Sequence, residues 1–95
     1  MSKSEIQKTL KRAAELIEHN RMGQAPPITV LMALQQACDE LHKFWGCRLI
    51  IKAYLLSFLL EEGIRLTSDE WETYRGGCAQ QFARILREAS KGEGQ

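Results

Sequence analysis

Charge of one sign is the first thing this chain lacks. Thirteen Lys and Arg stand against twelve Asp and Glu, a formal charge of +1 over 95 residues. Nucleic-acid binders concentrate basic charge to release counterions, and acidic disordered regulators run strongly negative, so the balance argues against both classes. Long hydrophobic runs are missing too. The most apolar stretch, Leu49 to Leu60, is twelve residues long and is broken by Lys52 and Ser57. A membrane span needs ~17–25 such residues, so a buried helix is expected there and no membrane partner. There is no glycine-rich phosphate cradle, and Gly76-Gly77 is not followed by Lys-Ser/Thr. No segment reads as a convincing strand.

Cysteine is sparse and odd in number. Cys38, Cys47 and Cys78 cannot all pair within one chain, and no apolar leader follows Met1. Reduced thiols and a cytoplasmic location are therefore expected. Cys38 and His42 share a helix face at i, i+4, and with Cys47 and Cys78 they supply the donor types of a zinc site. No Cys-x-x-Cys pair exists, and Cys38 and Cys78 fall on apolar stripes, where a free cysteine acts as a small hydrophobe. Core packing is the expectation: no metal, no cofactor and no catalytic residue. The carboxylates Glu61-Glu62 and Asp69-Glu70-Glu72 read as helix ends rather than acid–base pairs. The protein is not expected to be an enzyme.

What is present is helical periodicity in an ordinary globular composition, 44% apolar and 26% charged. The first helix is expected from about Ser4 to Met22, with Ser4 and Gln7 as a capping box and Ile6, Leu10, Ala13 and Ile17 on one face. Gly23 to Pro27 is the strongest linker, because two prolines remove amide donors and push their predecessors out of helical space.

The second helix is expected from Ile28 or Thr29 to Phe44. Leu31, Leu34, Cys38, Leu41 and Trp45 step by 3, 4, 3, 4, beside a second row of Val30, Ala37 and Phe44. The third runs from about Cys47 to Glu62 and is apolar nearly all round, which suits the middle of a bundle or an oligomer interface. Gly46 is the expected turn between them. A continuous helix would span about 34 residues and roughly 50 Å, too long for one small domain. Gly63 is a natural C′ residue.

The fourth helix is expected to open on the capping box Thr67 to Glu70, with Asp69, Glu70 and Glu72 in its first turn and Arg84, Arg87 and Lys91 toward its end. Trp71, Tyr74, Cys78, Phe82 and Ile85 would form its apolar face. Gly76-Gly77 would interrupt it, weakening the helix or admitting another backbone. The tail from Ser90 is polar and glycine-rich.

These readings give an all-α bundle of about four helices over residues 1–90 with a buried third helix, a disordered tail at 91–95, and a homodimer. A thin domain hides less apolar surface than the second and third helices offer. The expected function is a small cytosolic protein–protein interaction module acting as a regulator, adaptor or inhibitor of a larger partner. Its expected contact residues are Trp71, Tyr74, Arg75 and Trp45, since aromatic residues and arginine dominate binding hot spots.

The alternative is a DNA-binding or transcription-associated protein. It would use the 49–90 helix pair as a helix-turn-helix, or the basic face Lys8, Lys11 and Arg12 of the first helix. Acids at the start of the fourth helix count against the first route.

Overall fold

The computed structural model describes residues 2–20, 27–42, 46–66 and 70–91. Among these residues four α-helices follow one another: α1 (Lys3–His19), α2 (Val30–Leu41), α3 (Cys47–Glu61) and α4 (Gly76–Lys91), with a short 3-10 turn, Glu70–Thr73, ahead of α4. The radius of gyration is 12.4 Å, close to the ~12 Å of a compact chain of this length. No helix among the described residues is long and apolar enough to cross a membrane.

α1 lies at the centre of the packing, against α4 and α2. Ile6, Leu10, Ala13 and Ile17 are buried as the spacing predicts, joined by Thr9 and Ala14. The two alanines remove bulk where neighbouring helices approach. The capping box lies two residues earlier than expected. Ser2, not Ser4, is its N-cap, and its partner is Glu5, not Gln7. Ser2 Oγ accepts from the Glu5 amide at 3.2 Å and Glu5 Oε1 accepts from the Ser2 amide at 3.1 Å. A carboxylate beats an amide there because it also answers the positive helix end. α1 stops at His19, not Met22. Asn20 caps it and turns its side-chain oxygen to the Ile28 amide at 2.7 Å. Residues 21–26, with most of the predicted linker, lie outside the described residues.

α2 and α3 are separate helices. Thr29 caps α2 by accepting from the Met32 amide, and His42 closes it. Gly46 carries right-handed torsions, φ −63° and ψ −22°, so a left-handed reversal at this glycine is not what parts the helices. The buried face of α2 is Val30, Ala33, Leu34, Ala37 and Cys38, rotated from the predicted stripe, with Leu31 half-buried and Leu41 exposed. Small alanines let α2 lie closer than a leucine stripe would.

α3 buries one stripe, Cys47, Ile51, Leu55 and Leu59. Its end is a Schellman motif, as Gly63 suggested. Gly63 has φ +72°, its amide donates to the Leu60 carbonyl, and the Ile64 amide donates to the Leu59 carbonyl at 2.9 Å.

The start of the fourth helix differs most from expectation. Residues 67–69, and with them the predicted Thr67 cap, lie outside the described residues. Glu70 and Glu72 belong to the 3-10 turn, and α4 opens only at Gly76. The glycine pair therefore begins the helix rather than interrupting it. Gly76 takes φ +59°, which a side chain would strain. A Cβ at either glycine would meet nothing within 4 Å, so no other backbone approaches there. The strand-like pairing of Thr29 with Arg75, fixed by the Val30 amide donating to the Tyr74 carbonyl at 3.0 Å, holds the chain out of helix just before Gly76. At the other end Ser90 and Lys91 are helical rather than tail. Residues 92–95 lie outside the described residues.

Candidate functional site

The thiols and imidazoles do not converge. Cys38 and Cys47 are buried side by side across the α2–α3 junction, while Cys78 is exposed on α4. Burial first, and the hydrogen bond with Cys47 second, push the Cys38 thiol well above its ordinary value, which makes it a poor nucleophile. Cys78 departs from its predicted core position because α4 begins at Gly76, placing it in the first exposed turn. His42 is committed elsewhere. The Thr9 hydroxyl donates to the Glu5 carbonyl at 2.8 Å, and its oxygen lies 2.7 Å from His42 Nε2. Thr9 thus joins the imidazole of α2's C-cap to the backbone of α1. Among the described residues no group of three His, Cys, Asp or Glu side chains is placed to hold a metal ion.

The predicted aromatic patch divides. Trp71 is fully buried, stacked on Phe82 with ring centroids 5.3 Å apart and planes 4° from parallel. Tyr74 meets the same Phe82 edge-on at 5.9 Å and stays half-buried, and Arg75 is exposed. Trp45 lies outside the described residues. The surface part of the patch is thus Tyr74 and Arg75. Tyr74, but not Arg75, lines an apolar groove of about 220 Å³, together with Ile64, Leu66, Cys78, Phe82 and Ile85, and with Gln81. Sequence reasoning missed Ile64 and Leu66 as lining residues. The signal was present: after Gly63 the pattern Ile64, Arg65, Leu66 alternates half-buried, exposed, half-buried, the period of an extended segment.

A second surface lies on α3. Leu49 is 64% exposed, Ile50 43% and Leu60 77%. They share the face opposite the buried stripe.

The basic face of α1 is smaller than its sequence suggests. Lys8 and Lys11 are exposed, but Arg12 donates to Glu40 at 2.8 Å and lies 3.6 Å from Glu15. The helix pair of the DNA reading also changes. Its acids precede α4 rather than opening it, and Glu72 is paired with Lys52 of α3 at 2.5 Å. The α1–α4 contact is tied by Arg87, bidentate on Glu18 at 2.5 and 2.7 Å.

Comparison with protein-family models, with curated proteins and with solved structures finds no match for this chain. Fold and surfaces define its class: a small all-α helical bundle.

Proposed function

We propose that this protein is a cytosolic protein–protein interaction module that regulates, adapts or inhibits a larger partner by docking rather than by catalysis, and that it works as a homodimer. The observation that supports the docking reading is the groove between the Ile64–Leu66 segment and α4. It is lined mainly by apolar side chains, and exposed Arg75 follows the lining residue Tyr74 in the chain. Such a groove accepts one apolar or aromatic side chain of a protein partner, with a neighbouring carboxylate facing Arg75. The homodimer reading rests on the apolar residues that α3 leaves uncovered.

Cys78 offers a direct test, because it lines the groove and is exposed while the other two thiols are buried. A photo-cross-linker on Cys78 should capture one protein from native lysate. Arg75→Glu should weaken that capture about tenfold or more without changing the fold. Capture that ignores Arg75→Glu and is equally strong from a label placed on α1 would remove the groove reading.

A further inference from the structure

The outward face of α3 has a pattern of its own. Leu49, Ala53, Leu56 and Leu60 step by 4, 3, 4, the spacing of a seam between two helices. Ile50 and Ser57 flank it. The buried stripe Cys47, Ile51, Leu55 and Leu59 runs along the other side; Leu49, Ala53 and Leu60 are exposed, while half-buried Leu56 also packs against the chain's own core.

The face matches itself when a second copy runs in the opposite direction. Positions 49 and 60 are equidistant from the point between residues 54 and 55, and so are 53 and 56. A two-fold axis there sets Leu49 against the partner's Leu60, and small Ala53 against the partner's Leu56. Large meets small at the centre, which lets the helices approach to an ordinary packing distance of ~8–10 Å.

Charge at the helix ends selects the same direction. Glu61 and Glu62 are exposed at the negative end of α3, where carboxylates are unfavourable. The positive end has Gly46 as N-cap, with no side-chain hydrogen bond to its amides, and carries Arg48 in its first turn. Parallel copies would crowd four carboxylates together. Antiparallel copies lay each acidic end beside the other's positive end.

We propose that α3 is the self-association seam of this protein, two copies pairing antiparallel with Leu49 of each against the partner's Leu60. The proposal rests on the homodimer reading above and gives it a surface and a direction. The seam runs about 16 Å along the helix. A standard interface covers about 800 Å² per partner, roughly an eighth of the 6114 Å² surface here. A single helix seam is smaller, so the dimer is expected to be reversible.

The test is sedimentation equilibrium of the full chain from about 1 to 500 μM, a range set around the expected weak dimer. Leu49→Lys and Leu60→Glu, each alone, should weaken dimerisation more than about tenfold, since symmetry places each change twice. The double variant should recover to within about threefold of the native chain, because Lys then faces the partner's Glu at both ends. In parallel pairing the double variant would be worse than either single one. Both positions are exposed, so circular dichroism should be unchanged; Leu49→Ala with Leu60→Ala repeats the test should a charged variant misfold. A double variant no better than the single ones overturns the seam. A native chain that stays monomeric overturns both the seam and the homodimer reading, while cross-linking at the Cys78 groove would still stand. A native dimer indifferent to all these changes overturns the seam and leaves the homodimer.

Discussion

The indole of Trp71 lies flat on the ring of Phe82, 5.3 Å between centroids, and joins the 3-10 turn to α4 through the hydrophobic core. Its Nε1 is buried with no hydrogen-bond partner among the described residues. The ring therefore contributes by packing, and its polar handle costs stability. Trp71→Ala should destabilise the fold by about 3–5 kcal/mol, read from urea unfolding followed by circular dichroism. Trp71→Phe should cost clearly less, since it keeps a stacking ring and removes an unpaired donor worth about 1–3 kcal/mol. Equal losses for the two would contradict this account.

Glycine substitutions should separate by torsion. Gly63 and Gly76 have φ of +72° and +59°, and alanine at either should cost about 1 kcal/mol. Gly77 is not in that region and has open space around its Cβ position. Alanine there should stabilise by about 0.5 kcal/mol through the unfolded chain. Three thermal melts decide it, and the sign at Gly77 is the sensitive one.

Thiol reactivity should follow burial. A disulfide exchange reagent at neutral pH should titrate one thiol in the folded protein, Cys78, and three in denaturant. Cys38 is doubly protected, being buried and held as the thiol beside Cys47. Rapid reaction of two or three thiols under native conditions would mean that the α2–α3 junction opens.

Glu40 should give a small acid-side slope. Arg12 and then Gln36 donate to its carboxylate and hold it below its ordinary 4.5. A depressed carboxyl contributes stability that is complete above the unfolded value and is lost as pH falls through the lower folded one. The pair is exposed, so the effect is modest. Carbon-detected NMR titration should place Glu40 below 4.5, and Glu40→Gln should flatten the change in melting temperature between about pH 3 and 5. An ordinary Glu40 titration would remove the ion pair from solution.

The helices were readable because their causes are local. The core face of α1 follows from spacing alone, and Gly63 marks the end of α3 through its own torsion. The fourth helix misled for the opposite reason. Trp71, Tyr74 and Cys78 keep helical spacing in the sequence, yet the pairing of Thr29 with Arg75 breaks the helix between them. That partner is 46 residues away, beyond the reach of any periodicity argument. The groove shares this origin: it exists because Ile64 and Leu66 are folded back along α4. The face of α2 rotated because alanines, weak in any hydrophobic count, pack closest.

The end of α1 is completed by a residue that the chain makes much later. Gln80 Nε2 donates to the Ile17 carbonyl at 2.7 Å, and to that of Asn20 at 3.5 Å. The last turn of the first helix thus acquires this cap only after 63 further residues have been synthesised. Helix α1 is born early and finished late, so its final turn is expected to gain exchange protection in the same kinetic step that seats α4, and in no earlier one.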